Sequence, residues 1–245
     1  MKISVVVPVH NEAENIISLI KEIDTAMHQA EAYEIIYVDD GSTDQTPTVL
    51  AQALKDFKAL RVIRHAKSCG QSTAVHTGVK QAIYPYIATL DGDGQNDPAD
   101  IPGLYNVLIK KSENITNLWM VAGWRNKRYD TAWRLFSSKV ANSIRSSLLG
   151  DNTPDTGCGL KVFSREHFLS LPYFNHMHRF LPALILRAGG QVISEPVSHR
   201  SRTNGVSKYG TLDRLWAGIT DIAGVIWLQK RSKIPIIEEI IKVDD

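Results

Sequence analysis

Three short β-branched runs, Ile3 to Val9, Glu34 to Val38 and Leu60 to Arg64, alternate with stretches of helical period, and a fourth apolar run, Tyr86 to Leu90, closes the series. The first run is almost continuously apolar, the pattern of a strand buried on both faces. After it, Ile16, Leu19, Ile20, Ile23 and Met27 fall on one helical stripe. Asn11 with Glu14 predicts a cap-and-return pair at that helix start, and Thr46 with Pro47 predicts the cap and first turn of the next. A third helix is predicted over Gln71 to Ile83. Strand–helix alternation of this kind specifies a parallel sheet with right-handed crossovers. Such sheets gather ligands at the carboxyl ends of their strands.

Polar clusters follow three of the four strands: Pro8 to Glu12, Asp39-Asp40-Gly41-Ser42, and Asp91-Gly92-Asp93-Gly94-Gln95-Asn96-Asp97-Pro98. Asp91 and Asp93 stand two apart, so both can project from the strand end on the same side. Gly92 and Gly94 leave room for a ligand to approach the backbone. Asp91, Asp93 and Gln95 offer hard oxygens, which suit Mg²⁺ or Mn²⁺. Taken singly, an Asp/Gly cluster after a strand is equally a turn. Three such clusters at one sheet edge favour a nucleoside-diphosphate site.

Other functions fail at their own diagnostic positions. A dinucleotide-binding oxidoreductase needs Gly-x-Gly-x-x-Gly after the first strand. Here the turn is Pro8-Val9-His10-Asn11-Glu12, without glycine, and no Gly-Lys-Ser/Thr phosphate loop occurs. A net charge of +2 gives no basis for nucleic-acid binding. With 245 residues and 43% apolar composition, the chain can bury a substantial core as one large α/β domain or two small ones. Its two cysteines, Cys69 and Cys158, lack paired metal spacing and fit a reducing compartment. Met1-Lys2-Ile3-Ser4 runs straight into a strand without a signal-peptide pattern. The expectation is a cytoplasmic chain.

The ordered motifs resemble the inverting family 2 glycosyltransferases of GT-A fold. The matching stretches are Pro8-x-x-Asn11-Glu12, Val38-Asp39-Asp40-Gly41-Ser42-Thr43-Asp44, Gly70-Gln71-Ser72 through Gly78, and Asp91-x-Asp93-x-Gln95-x-Asp97-Pro98. Gly123-x-Arg125, Asp155-x-Gly157-Cys158-Gly159-Leu160-Lys161 and His199-Arg200-x-Arg202-x-x-Gly205-x-Ser207-Lys208-Tyr209-Gly210 are similar to the dolichyl-phosphate mannose synthase and undecaprenyl-phosphate transferase type. Gly92, where eukaryotic members carry alanine, points to the bacterial branch. The resemblance implies a Rossmann-like α/β domain with a central, mostly parallel sheet flanked by helices. It implies a nucleotide pocket of Pro8, His10, Glu12, Val38 and Asp40, with Asp91, Gly92, Asp93 and Gln95 at the sugar diphosphate. The metal ligands would be Asp91, Asp93 and Gln95, and Asp93, Arg125, Arg202 and Lys208 would act in catalysis. A tyrosine is frequent at the position of His10 in this family.

The implied reaction moves a hexose-type sugar from a UDP- or GDP-sugar to a polyprenyl phosphate, with inversion. A phosphate monoester is largely dianionic at pH 7, so no general base is assigned. Asp155 is expected to be structural, and His176 and His178 to be surface or packing residues rather than a metal pair. The alternatives are a hydroxyl acceptor, which needs a carboxylate base, and a non-catalytic nucleotide-sugar-binding module.

Residues 1–210 are expected to form the transferase domain and 211–245 an amphipathic extension. Leu212, Leu215, Trp216, Ile219, Ile222, Ala223, Ile226 and Trp227 make one apolar stripe, flanked by Arg214, Lys230, Arg231 and Lys233. Asp213 and Asp221 interrupt any spanning segment. The stripe can pack on the domain, lie in a lipid interface as a peripheral membrane contact, or meet a second copy of the chain.

Overall fold

A computed structural model of the chain describes residues 1–125, 145–200 and 211–233. Strands β1 (Lys2–Val9), β2 (Ala32–Asp39), β3 (Leu60–Arg64) and β4 (Tyr86–Thr89) run parallel. With β5 (Leu118–Arg125), β6 (Lys161–Ser164) and β7 (Gln191–Val197) they build a seven-stranded sheet in the order β3-β2-β1-β4-β6-β5-β7. β6 alone among the described strands breaks the parallel pattern, lying antiparallel to both β4 and β5. The mostly parallel GT-A sheet expected from the sequence is present.

Helices α1 (Ile16–Met27), α2 (Thr46–Asp56), α3 (Gln71–Gln81), α4 (Ile101–Ser112), α5 (Arg165–Ser170), α6 (Leu181–Arg187) and α7 (Thr211–Arg231) cover the sheet. β1 feeds both core layers. Val5 and Val7 join Ile16, Ile20 and Ile35 on one face, while Val6 meets Ile36, Ala74 and Val79 on the other. Successive strand side chains point to opposite faces, so a strand covered on both sides must be apolar throughout. Val5, Val6 and Val7 are wholly buried, each worth roughly 1.5–3 kcal/mol relative to exposure.

The helix starts differ from the predicted caps. Asn11 adopts a left-handed backbone (φ 56°), and its Oδ1 accepts from the Thr43 and Asp44 amides at 2.8 and 3.3 Å. Asn tolerates this conformation because its short amide bonds locally. The side chain thus serves the loop after β2, and α1 begins only at Ile16, where Asn15 Nδ2 donates to Glu12 Oε2 at 2.9 Å. Thr46 is the first residue of α2 rather than its cap, and its Oγ1 accepts from the Glu12 amide at 2.9 Å. Both departures tie the β1 and β2 loops together. α3 ends at Gln81, two residues short of the predicted limit.

The carboxyl half of α7 docks on the domain. Val225 is buried, and Ile222, Ile226 and Leu228 pack against the layer that holds Phe180 and Leu184. Arg187 Nε donates to Leu228 O, and Gln229 Nε2 to Leu149 O, both at 2.9 Å. His176 Nδ1 lies 2.8 Å from Asp221 Oδ2. On the outer side, Ile219 and Trp227 are 51% and 59% exposed. No described helix is long and apolar enough to cross a membrane. The side chains of Leu212, Leu215 and Trp216, and residues 234–245, lie outside the described set.

Candidate active site

The parallel registers bring three strand ends to one edge. Val9 pairs with Asp39 across β1 and β2, and β4 lies on the other side of β1. Pro8 to Glu12, Asp39-Asp40 and Asp91 to Gln95 therefore share an edge, as the sequence implied.

At the β2 end, Asp40 is saturated with donors. Its carboxylate accepts from His65 Nδ1 (2.7 Å), Ser68 Oγ (2.8 Å), the Cys69 amide (2.9 Å) and the Gly70 amide (2.8 Å). Burial works to raise its pKa, but these hydrogen bonds prevail and hold it below the usual carboxylate range. His65 Nε2 meets Thr77 Oγ1 at 3.0 Å, so the ring is pinned at both nitrogens. Gly41 makes this cradle possible: at φ +67°, a Cβ there would lie 2.5 Å from Lys67 C. Asp40, His65 and Cys69 hold potential ligand atoms within 4.8 Å of one another. With both Asp40 oxygens already taken by protein donors, the cluster is a rigid polar anchor rather than a cation site. His10 Nδ1 is 2.8 Å from Asp40 O, which sets the imidazole beside this anchor. Val38, predicted in the pocket, keeps its side chain wholly inside the core.

At the β4 end, Asp91 Oδ1 accepts from Gln71 Nε2 at 2.8 Å, and its amide donates to Asn96 Oδ1 at 3.2 Å. Asp93 Oδ1 accepts from the Gln95 amide at 3.2 Å. Burial, and then the charge of Asp93, push the Asp91 carboxyl up to about 6. Two carboxylates in electrostatic conflict at a strand end are a fitting donor set for a hard divalent cation, which would relieve the conflict. Gly92 is occupied from within, since a Cβ there would meet Val9 Cγ1 at 2.4 Å. The room expected at Gly92 for a ligand is used by β1 instead.

The segment after β7 straps this turn. Arg200 N donates to Gln95 O at 3.0 Å, and Asn96 bridges His199. The Arg200 guanidinium pairs with Asp97 at 2.8 Å and Glu22 at 2.6 Å. Arg202 and Lys208 lie outside the described residues.

The antiparallel strand completes the site. Its register pairs Thr89 with Lys161 and runs on to set Gly159 against Asp91. Lys161 is buried, donates to Cys158 O, and lies near enough to Asp91 for their charges to interact. Burial lowers its pKa, opposed by the negative groups around it. Arg125, at the end of β5, makes a two-pronged pair with Asp155: Nε to Oδ2 at 2.6 Å and Nη2 to Oδ1 at 2.8 Å. Asp155 thereby fixes the guanidinium, the structural role expected of it. A partly open pocket lies here, with Pro8, Gln71, Asp91, Gly159, Lys161 and His178 in its walls.

Gln71, Gly159, Lys161 and His178 were not singled out as site residues from the sequence. Gln71, Gly159 and Lys161 stood inside recognised motifs, and that was their only signal. His176 and His178 do not converge: the first meets Asp221 and the second Ser72.

Similar proteins share both the sequence and the architecture. The chain is 33% identical over 243 residues to a dodecaprenyl-phosphate galacturonate synthase of Rhizobium johnstonii, covering 96% of this chain and 69% of that one. It is 32% identical over 212 residues to an undecaprenyl-phosphate 4-deoxy-4-formamido-L-arabinose transferase of Pectobacterium carotovorum, covering 86% and 63%. The chain thus spans slightly less than two thirds of the arabinose transferase. Among solved structures, glucosyl-3-phosphoglycerate synthase of Mycobacterium tuberculosis, in complex with Mn²⁺, UDP and phosphoglyceric acid, superposes with a TM-score of 0.68 at 20% identity, covering 95% and 80%. Mannosyl-3-phosphoglycerate synthase of Rubrobacter xylanophilus gives 0.68 at 16% identity, covering 98% and 78%. Residues 4–171 match the family described as glycosyl transferase family 2. With the strand-end carboxylates, the saturated Asp40 anchor and these relatives in agreement, the chain belongs to glycosyl transferase family 2.

Proposed function

We propose that this protein transfers a sugar from a nucleoside-diphosphate sugar to a polyprenyl phosphate, with inversion at the sugar carbon. The observation that carries this reading is the similarity, across most of the chain, to two relatives named for polyprenyl-phosphate acceptors. The Asp40 anchor with Pro8, His10 and Glu12 would receive the nucleoside. Asp91, Asp93 and Gln95 would hold Mg²⁺ or Mn²⁺. When bound, such an ion supplies Lewis-acid charge to the departing diphosphate. Arg125, oriented by Asp155, adds fixed positive charge at the same end of the site, and Arg202 and Lys208 would add more.

The state of Asp155 favours a phosphate acceptor over a hydroxyl. A hydroxyl acceptor needs a carboxylate to take its proton. Asp155 is engaged at both oxygens by Arg125, and Asp91 and Asp93 would be committed to the cation. A phosphate dianion attacks without giving up a proton.

Residues 1–210 would form the transferase domain and the segment from 211 a docking extension. On α7 the exposed Ile219, Ala223 and Trp227 recur every four residues, and Lys230, Arg231 and Lys233 follow. This apolar stripe with a basic end suits an anionic lipid surface, where the acceptor resides.

The test is incubation of the protein with undecaprenyl phosphate, Mg²⁺ or Mn²⁺, and a panel of UDP- and GDP-sugars, with lipid products read by mass spectrometry. A metal-dependent glycosyl-phosphoryl lipid, lost in Asp93→Ala, is the expected result. Transfer only to hydroxyl acceptors, or binding without turnover, would overturn the reading.

A further inference from the structure

The pocket contains a histidine that the mechanism above does not use. His178 lies on the 3-10 turn Met177–Arg179, just ahead of α6, and lines the cavity with Asp91 and Lys161. Ser72, at the start of α3 and 1% exposed, faces it twice. The His178 amide donates to Ser72 Oγ at 3.1 Å, and Ser72 Oγ stands 2.6 Å from His178 Nδ1.

A buried hydroxyl must place its own proton on an acceptor. For Ser72, Nδ1 is the acceptor at hand among the described residues. Nδ1 therefore accepts, and the ring proton sits on Nε2. No described residue bonds Nε2, and the ring lines the pocket. Burial first, then the charges of Arg179 and Lys161, keep this imidazole far below its usual pKa, so it is a neutral, single-proton donor.

The place of the pocket indicates what meets that donor. From β2, whose end leads into Asp40, the sheet runs through β1 and β4 to β6, which carries Lys161. Three strand spacings are roughly 14–15 Å, a span suited to a nucleoside anchored at Asp40 with its diphosphate at Asp91. What remains for the His178 pocket is the sugar. Val75, Leu90 and Leu181 supply apolar walls, and Gln71 and Lys161, which also line the pocket, spend donors on Asp91 Oδ1 and Cys158 O. The neutral N–H of His178 suits a hydroxyl oxygen of the ring better than a phosphate, which selects cations.

We infer that His178 is a specificity-determining residue of the donor-sugar pocket, donating from Nε2–H to a hydroxyl oxygen of the transferred sugar, with Ser72 as the positioning residue that fixes its tautomer. This rests on the nucleotide-sugar reading above.

The experiment compares wild type, His178→Ala, His178→Gln and Ser72→Ala by titration calorimetry in Mn²⁺. The ligands are UDP and the UDP-sugar turned over in the lipid assay (GDP and the GDP-sugar, where that is the donor) or, failing turnover, the pair bound from the same panel. Expected is a loss of about tenfold for the UDP-sugar in His178→Ala, with UDP affinity held within about twofold, which also certifies the fold. His178→Gln, which keeps an N–H donor, should recover most of the loss, and Ser72→Ala should show part of it. Single deoxy-sugar donors should reproduce the loss in wild type for one hydroxyl, and His178→Ala should be indifferent to that same change.

Equal losses for UDP and UDP-sugar would mean a phosphate contact or a scaffold role, and would overturn the inference. So would no loss at all. Wild type that makes lipid product while His178→Ala discriminates sugars normally sinks this inference alone. Wild type that binds UDP-sugar with the expected His178 dependence but makes no lipid product sinks the acceptor reading alone. A protein that binds no member of the UDP- and GDP-sugar panel overturns both.

Discussion

A Cβ placed on Gly159 would lie 2.4 Å from Oδ2 and 2.5 Å from Cγ of Asp91. The two residues are 68 positions apart and meet because β6 runs antiparallel to β4. A backbone with no side chain is thus pressed against the carboxylate that, with Asp93, would take the cation.

Gly159→Ala is the sharpest test of that contact. The added methyl must push Asp91 off its position, at an overpacking cost of about 1–3 kcal/mol. A displacement near 1 Å at such a group costs about a hundredfold in rate. Turnover should fall by that order while circular dichroism remains that of the wild type.

Metal binding should depend on pH through Asp91. Its carboxyl is pushed up from 3.8 to about 6 in the folded chain without cation. The folded state therefore keeps a proton that the unfolded chain has lost, and its stability declines as pH rises from 3.8 through about 6. A cation competes with that proton. Mn²⁺ affinity, read by calorimetry, should fall by up to about tenfold per pH unit below 6. The rise in Tm on adding Mn²⁺ should be greatest above 6.

Arg125 and Asp155 should behave as one unit. Removing either side of a largely buried pair costs about 3–5 kcal/mol, because the other charge is left without compensation. Asp155→Asn should lower Tm and lower activity by releasing the guanidinium. Arg125→Lys should lose the two-pronged geometry and recover little. A double-mutant cycle on Tm and kcat should show strong non-additivity.

Asp40 should contribute stability at neutral pH and lose it in acid. Its pKa is lowered in the fold, so its stabilising effect is present above 3.8 and fades as pH falls through the lower folded value. Asp40→Asn should cost about 1.5–3 kcal/mol at pH 7, the worth of hydrogen bonds to a charged group. The difference from wild type, followed by thermal melts, should close toward pH 3. UDP affinity should fall in the same variant.

The outer face of α7 offers a separate test. Trp227→Ala with Ile219→Ala should weaken binding to anionic vesicles by roughly tenfold. Lys230→Gln with Arg231→Gln should reduce the salt dependence of that binding. Turnover of a water-soluble short-chain acceptor should be unchanged, and co-sedimentation with vesicles is the readout.

Much of this was written locally in the chain. The unbroken apolar run of β1 announced a strand covered on both faces, and Val5, Val6 and Val7 are divided between the two core layers. Strand–helix alternation places Asp40, Asp91 and Asp93 at one edge, because a parallel sheet delivers all its strand ends to the same side. Asn11 departs from the predicted cap for a physical reason. Its amide satisfies Thr43 and Asp44, residues more than thirty positions away, and no local pattern records that bond.

By itself, then, the sequence determined which polar clusters share the edge: Pro8 to Glu12 after the first strand, Asp39-Asp40 after the second and the Asp91-to-Gln95 carboxylate turn after the fourth. Periodicity and short motifs carry that information, since both arise within one element and its turn. Only the tertiary structure decided that an antiparallel β6 would set Gly159 and Lys161 beside Asp91, that Arg200 would strap the turn from Gln95 to Asp97, and that Ser72 would hold His178 in the pocket wall. Those contacts join residues 68, 105 and 106 positions apart, and distance of that kind is set by packing, which no local pattern of residues encodes.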